Sequence, residues 1–244
     1  MAEVDLERLA EAYVFRLDRA APTRVAIMLE SAQIDRSSLV VDVGGGRGAQ
    51  AAMCAAKGIE VLVVDPSPGM IQHAVSKRLM AVVGVGEALP LGSAMSDLVY
   101  FHLSIHHGDW QAMLDEAWRV VRPGGVVWVW TMADDHHRSS YLARWFPSVE
   151  AIDRQRFPAV ADLAGHLAAL GGGPEVIEHR EVVERLAEDF VAAVEAGYVS
   201  TLHLVSPQEI EEGLARFRRE HPGRSEMVTY QLGFAAVSAR RPST

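Results

Sequence analysis

Short, nearly continuous runs of β-branched and aromatic residues recur through the middle of the chain, and segments with helical spacing separate most of them. The runs lie at 39–43, 60–65, 79–84, 97–102 and 125–132. Strands that are apolar on both faces and alternate with helices are typical of a parallel sheet with helices on both sides. The pattern therefore predicts an α/β fold with a doubly wound, mostly parallel sheet.

Helical spacing dominates the two ends of the chain. Apolar positions from Leu6 to Leu17 fall on one face of a first helix, and a second is predicted over 23–33. After residue 135 the spacing predicts further helices and two strands, at 139–146, 159–170, 186–196 and 207–220 for the helices and at 174–182 and 227–239 for the strands. We expect the segment 184–223 to be a helical insertion before the last strand of the sheet.

Charge and composition exclude several classes of partner and location. The formal net charge of -9 argues against a nucleic-acid partner, which would require clustered Lys and Arg. Cys54 is the only cysteine, so an intrachain disulfide is impossible. The acidic, amphipathic start of the chain differs from a secretory signal, and no apolar run reaches the roughly 20 residues of a membrane span. We expect a cytoplasmic protein without a membrane partner, either monomeric or homodimeric.

A glycine-rich turn, "DVGGGRG" at 42–48, joins the first predicted strand to a helix. Such a turn presents backbone N–H groups and the positive end of a helix to a ligand. The spacing of Gly44, Gly46 and Ala49 also satisfies a loose dinucleotide pattern, and Asp65 ends the next strand about 20 residues later. The turn alone thus leaves a nicotinamide cofactor, another nucleoside cofactor and a purely structural turn open.

The acid in front of the turn favours a cationic ligand. A dinucleotide would bring an anionic pyrophosphate towards Asp42, and like charges repel. A ligand with an ammonium and a sulfonium would be attracted instead. The charge therefore favours S-adenosylmethionine over NAD.

Four motifs in order resemble those of the class I S-adenosylmethionine-dependent methyltransferases, of the small-molecule, methyltransferase-11-like type. The turn at 42–48 is similar to the first motif of that family, and "DPSPGM" at 65–70 to the second. The segment 86–107 resembles the turn before strand four, and "RVVRPGG" at 119–125 closely matches the run that leads into strand five. Val85 stands where many relatives have an aspartate near the adenine amino group.

The resemblance implies a seven-stranded, Rossmann-like methyltransferase sheet in a single domain over 1–244. Residues 1–36 would form N-terminal helices, 37–135 the cofactor-binding core, and 136–244 the substrate-side elements that complete the sheet. S-adenosyl-L-methionine is the implied cofactor. The implied binding residues are Asp42, Gly44, Gly46, Gly48, Asp65, Pro66, Met70, Glu87, Ala88 and Leu89. For Met70 and Leu89, ordinary core packing is an equally good interpretation.

The acceptor side of the site carries no motif. His106 and His107 follow strand four, where a neutral imidazole can act as general base, and the alternative is that one of them caps the next helix. Tyr13, His106 and Trp110 are the predicted substrate-binding residues. "ADDHHR" at 133–138 is interpreted as a polar lip of the substrate pocket rather than a metal site.

Methyl transfer to an oxygen, nitrogen or carbon atom of a small molecule is the predicted function. One alternative is a protein that binds S-adenosylmethionine without catalysis. The other is a nicotinamide-dependent oxidoreductase, which would not explain Asp42 or the run at 119–125.

Overall fold

A computed structural model of the protein describes residues 21–243. Within that range seven strands form one sheet in the order β3-β2-β1-β4-β5-β7-β6. The strands are β1 (Leu39–Val43), β2 (Glu60–Asp65), β3 (Met80–Val83), β4 (Ser96–His102), β5 (Val121–Met132), β6 (Gly173–Leu186) and β7 (Met227–Arg240). The predicted doubly wound α/β fold is confirmed.

Helices precede β1 and connect most of the strands, while β3 and β4 are joined by a segment without a helix. The helices are α1 (Ala21–Ala32), α2 (Ala49–Ala55), α3 (Pro68–Ser76), α4 (Trp110–Val120), α5 (His136–Ser139), α6 (Tyr141–Trp145), α7 (Ser148–Arg156), α8 (Val160–Ala169), α9 (Ala187–Glu195) and α10 (Pro207–Glu220). Two short 3₁₀ turns lie at Ile105–His107 and Ser200–Leu204. Among the described helices, none is long and apolar enough to cross a membrane.

Strand order reverses beside β1. β1 pairs in parallel with β2 on one side and with β4 on the other, and Asp42 lies opposite Val63 and Tyr100. β4 pairs in parallel with β5. In open α/β sheets, ligands bind beyond the carboxyl ends of the strands at this reversal. We therefore expect a ligand-binding site at the loops that follow β1, β2 and β4.

The described chain divides into two compact units. The first, here called the sheet unit, comprises residues 21–132, 157–178 and 235–243, and the second unit comprises 133–156 and 179–234. Each has its own buried apolar cluster, with Val41, Phe101 and Leu114 in the first and Phe190 and Phe217 in the second.

Most of the predicted elements are present, with ends shifted by a few residues. The helix predicted over 139–146 is shorter than expected, since α5 ends at Ser139 and α6 covers only Tyr141–Trp145. The Ser140 hydroxyl caps α6 by accepting from the Ala143 N–H at 3.4 Å. Helix α7 was not predicted, and the helix predicted over 6–17 lies outside the described residues.

Candidate functional site

The glycine-rich turn follows β1 and has a backbone that few residues other than glycine adopt. Gly44, Gly46 and Gly48 have φ angles of +68°, +54° and +69°. Neighbouring side chains also approach closely. A Cβ on Gly44 would lie 2.5 Å from that of Ser104, and one on Gly48 would lie 2.4 Å from Leu79 Cδ1. Glycine is thus required here by the backbone conformation and by the close approach of Ser104 and Leu79.

Asp65, at the end of β2, joins the glycine turn to the next turn of the chain. One carboxylate oxygen accepts from the Gly46 N–H at 2.8 Å, and the other accepts from the Ser67 N–H at 3.0 Å. The Ser67 hydroxyl in turn accepts from the Met70 N–H at 3.1 Å and caps α3. A carboxylate has about four acceptor positions, so Asp65 retains capacity for further donors such as ribose hydroxyls.

Asp42 lies beneath the turn with 0% of its surface exposed. No hydrogen bond of ordinary geometry from any described residue reaches either carboxylate oxygen. Burial is the main cause that raises the pKa of Asp42 to about 7. The Tyr100 hydroxyl lowers this pKa, the charge of Asp65 raises it and the Ala51 N–H lowers it. The sequence alone suggests a fixed negative charge at Asp42, whereas its burial favours the neutral carboxylic acid.

These features fit S-adenosyl-L-methionine. Four of the five residues at 44–48 are glycines, so the turn is mostly backbone, and the orphaned carboxyl of Asp42 lies against it, since a Cβ on Gly45 would stand 2.5 Å from the carboxyl carbon. A cationic ligand above the turn would stabilise the charged form of this carboxyl.

The predicted adenine contacts lie close to the turn or on the segment after β3. Met70 is 5% exposed, and its sulfur would be 3.7 Å from a Cβ on Gly46. Leu89 is also 5% exposed and packs in the apolar cluster of the sheet unit. Met70 and Leu89 are therefore both part of the apolar core, and their contact with adenine stays a prediction. Pro66 and Ala88 are exposed, and Glu87 is half-buried with its carboxylate accepting from the Asp109 N–H at 3.0 Å.

An ion pair on α4 holds the segment that contains Leu89. Glu116 accepts from the Leu89 N–H at 2.9 Å and pairs with Arg119 at 2.7 Å. Arg119 also donates to the carbonyl oxygens of Leu91 at 2.9 Å and Leu89 at 3.3 Å. The sequence reasoning missed Glu116; the only signal was its position three residues before the arginine of the 119–125 motif.

The two histidines after β4 differ in exposure. His106 is half-buried, and its ring stacks on Phe157 with centroids 3.9 Å apart. His107 is exposed, with its ring centroid 4.1 Å from that of His106. Asp109, not a histidine, caps α4 by accepting from two backbone N–H groups. Trp110 is half-buried and packs against the apolar cluster of the sheet unit. Its ring makes an edge-to-face contact with that of His166, with centroids 5.5 Å apart.

The "ADDHHR" segment does not act as one polar surface. Asp134 and Asp135 are exposed, whereas His136 and His137 are each 5% exposed. The expectation of a polar lip is therefore wrong for the histidines. His136 Nδ1 accepts from the Gly233 N–H at 3.2 Å, and burial lowers the pKa of His136 to about 4. Across the described residues no group of three or more His, Cys, Asp or Glu could hold a metal ion.

Tyr13, predicted to contact the substrate, lies outside the described residues.

The sequence profile of the methyltransferase domain family matches residues 41–129. The chain is 31% identical over 212 residues to the biotin biosynthesis bifunctional protein BioHC of Cellvibrio japonicus. The alignment covers 69% of this chain and 41% of that protein. It is 32% identical over 140 residues to a malonyl-[acyl-carrier protein] O-methyltransferase of Pseudescherichia vulneris, covering 56% of this chain and 55% of the relative. The chain thus spans about half or less of the length of these curated relatives.

Among solved structures, the YcgJ protein of Bacillus subtilis aligns with a TM-score of 0.65 at 14% identity, covering 90% of this chain and 98% of that one. At this identity the likeness concerns the fold alone. The matched profile covers the glycine turn, Asp65 and β1 to β5, which are the elements that build the site described above. The chain therefore belongs to the class I S-adenosylmethionine-dependent methyltransferases.

Proposed function

We propose that this protein transfers a methyl group from S-adenosyl-L-methionine to a small-molecule acceptor. The observation that carries the proposal is the arrangement at the end of β1, where the glycine-rich turn lies against the buried Asp42 and is tied to Asp65 by the 2.8 Å hydrogen bond from Gly46. Family membership supports it.

The cofactor would be held by the backbone of the turn and by two acids. Gly44, Gly46 and Gly48 would approach its amino-acid and ribose parts, Asp65 would accept from the ribose hydroxyls, and Asp42 would lie near the cationic end. The adenine side would be formed by Pro66, Met70, Glu87, Ala88 and Leu89. When bound, S-adenosylmethionine supplies a methyl group on a sulfonium sulfur, which is open to in-line displacement.

The protein's own contribution to such a reaction is mainly to position the acceptor and exclude water. An acceptor hydroxyl or protonated nitrogen must also lose a proton. His106 and His107 are our proposed bases, and stacking on Phe157 gives the His106 ring a fixed orientation. Trp110, on the helix that follows, and Tyr13 are proposed to contact the acceptor.

The acceptor class is proposed from charge and from relatives. A formal net charge of -9 disfavours nucleic acid as the substrate. Relatives named as malonyl-[acyl-carrier protein] O-methyltransferases give one concrete arm of an acceptor screen, an acid presented on a carrier protein. Free small carboxylic acids, phenols and amines form the other arms.

Calorimetric binding tests the proposal before any acceptor is known. Wild type should bind S-adenosylmethionine and S-adenosylhomocysteine with micromolar affinity and should not bind NAD. Asp65→Ala should weaken both by at least tenfold, because it removes the acceptor for the ribose hydroxyls and for the Gly46 N–H.

Asp65→Asn is the matched variant, since its remaining oxygen can still accept one of the two backbone bonds. It should fall between wild type and Asp65→Ala at an unchanged melting temperature. Binding of NAD alone by the wild type would overturn the proposed function.

A further inference from the structure

Asp42 and Tyr100 form a buried polar pair beneath the glycine turn. They lie opposite each other on the paired strands β1 and β4, and both are 0% exposed. Neither the carboxylate oxygens nor the phenol oxygen makes a hydrogen bond of ordinary geometry with any described residue. Two polar groups are thus held together in the core of the sheet without the partners that buried polar groups normally have.

The groups that act on this carboxyl come from three elements. Tyr100 faces it from β4, Asp65 acts from the end of β2, and Cys54 on α2 is close enough for the charge of Asp42 to raise the pKa of the thiol. Lys57 acts on the thiol of Cys54 in the opposite direction. The groups that act on the Asp42 carboxyl are the Tyr100 hydroxyl, the Ala51 N–H and the carboxylate of Asp65.

A charged carboxylate in such a place is costly, whereas a neutral carboxylic acid costs much less. The carboxyl lies directly against the backbone of Gly45, because a Cβ on that residue would stand 2.5 Å from the carboxyl carbon. A cation that binds to the turn would therefore act on Asp42 through a single peptide layer with little solvent screening.

We propose that Asp42 and Tyr100 form a proton-linked pair: Asp42 carries a proton in the ligand-free protein and releases it to solvent when the cationic cofactor binds, and Tyr100 then donates its O–H to the carboxylate. The inference rests on the proposed cofactor binding and adds its proton linkage and a positioning role for Tyr100. The balance is one O–H bond of the carboxylic acid broken and one proton transferred to buffer, while the phenol keeps its proton.

Titration calorimetry of S-adenosylmethionine in buffers of different ionisation enthalpy, at pH 6.0, 6.5, 7.0 and 7.5, measures the proton count directly. Wild type should release about one proton per cofactor bound at pH 6.0 and about half a proton at pH 7.0. Its Kd should be about fivefold weaker at pH 6.0 than at pH 7.0, since the protonated form must first ionise. The α-amino group of the ligand titrates near pH 8, so its contribution is small at the lower pH values.

Three variants separate proton linkage from a structural effect. Asp42→Asn should bind without releasing a proton, with a Kd that varies by less than twofold over the same pH range. Tyr100→Phe should still release a proton, but with the midpoint moved to higher pH, because the Tyr100 hydroxyl lowers the pKa of Asp42. Tyr198→Phe removes a buried hydroxyl in the second unit and should leave the midpoint unchanged.

Urea unfolding without ligand gives an independent readout. A folded-state pKa above the unfolded value means that the native protein holds a proton that the unfolded chain has lost, so the contribution of Asp42 to stability should fall as pH rises from about 4 to about 7, opposite in sign to that of His136. Asp42→Asn should remove this part of the slope.

Several outcomes would overturn the inference. Binding of S-adenosylmethionine and S-adenosylhomocysteine without proton release between pH 6.0 and 7.5 would overturn it and leave the proposed function standing. Equal proton release by wild type and Asp42→Asn would do the same. Failure of both ligands to bind would overturn the inference and the proposed function together.

Discussion

Gly46 and Gly48 share a left-handed backbone but differ in what surrounds them. A Cβ on Gly46 would have one close neighbour, the Met70 sulfur at 3.7 Å, whereas a Cβ on Gly48 would overlap Leu79 at 2.4 Å. The first glycine therefore leaves space beside the expected adenine contact. The second allows α2 to pack on the core.

Gly46→Ala should harm binding more than folding. The positive φ costs about 1–2 kcal/mol for a residue with a Cβ, so the melting temperature should fall by a few degrees. The new methyl group would enter the space beside Met70, and we expect the Kd for S-adenosylhomocysteine to rise at least tenfold. Calorimetry and thermal melting measure the two effects separately.

Two other glycines serve as controls for that substitution. Gly48→Ala should reduce the melting temperature much more, because overlap with Leu79 adds to the backbone cost. Gly165→Ala, in α8 with open space around its Cβ, should stabilise the protein by up to about 1 kcal/mol and leave binding unchanged. Equal loss of binding in Gly46→Ala and Gly165→Ala would contradict the assignment of the turn.

At the scale of elements, the motifs before β4 and before β5 act as one structural unit. Arg119 and Glu116 on α4 hold the backbone around Leu89 by hydrogen bonds to its N–H and to two carbonyl oxygens. The arginine of the 119–125 motif is therefore explained by the segment that it holds, some 30 residues earlier in the chain.

Arg119→Ala should loosen this segment. Loss of the charge-assisted hydrogen bonds should destabilise the protein by about 1–2 kcal/mol in urea unfolding. Cofactor affinity should fall several-fold, since Leu89 loses its support. Hydrogen exchange should show faster exchange of the Leu89 amide.

Arg122→Ala is the matched control from the same motif. Arg122 pairs with Asp97 through a side chain that is 57% exposed, and such pairs contribute little. Its effect on affinity should be negligible. An equal loss in both variants would mean that Arg119 does not position the 89–91 segment.

At the scale of the whole molecule, the chain is built from two units with separate cores, and β6 and β7 each run from one unit into the other. The second unit holds a buried His136 whose pKa burial lowers to about 4. Burial also lowers the pKa of His137 and raises that of Asp153. The two histidines therefore disfavour the folded state on acidification, whereas Asp153 acts in the opposite direction.

Acid should destabilise the protein through His136. The unfolded histidine takes up a proton near pH 6.5 and the native one does not until about pH 4, so the contribution of His136 to stability should fall by up to about 3 kcal/mol as pH drops through this window. His136→Asn retains an acceptor for the Gly233 N–H and removes the titration. Urea unfolding at pH 7.5, 6.0 and 5.0 should therefore show the stability of the variant rising relative to that of wild type as pH falls.

His73→Asn, at an exposed position on α3, is the control and should follow the wild-type pH dependence. If His136→Asn also follows the wild type, the acid sensitivity lies elsewhere.

The glycine turn and the strand that ends at Asp65 were predictable from the sequence as structural features, and their contact with the cofactor stays a prediction. Glycine spacing, Asp65 and the 119–125 motif are local signals, because each depends on a turn or a helix end formed by neighbouring residues. Glu116 was not readable, since its role comes from a contact with a segment 27 residues away. The polar sequence at 133–138 did not reveal that His136 and His137 are buried, because burial depends on the residues that pack around them in the folded chain.

The sequence by itself determined the α/β class, the order of most elements and the family, because short apolar runs and helical spacing record local geometry and the motifs record backbone turns. Tertiary structure alone decided the strand order, the division into two units and the burial of Asp42 against Tyr100. A strand-ending aspartate reads as a charge in the sequence. Whether it carries that charge depends on the desolvation imposed by elements that are distant along the chain.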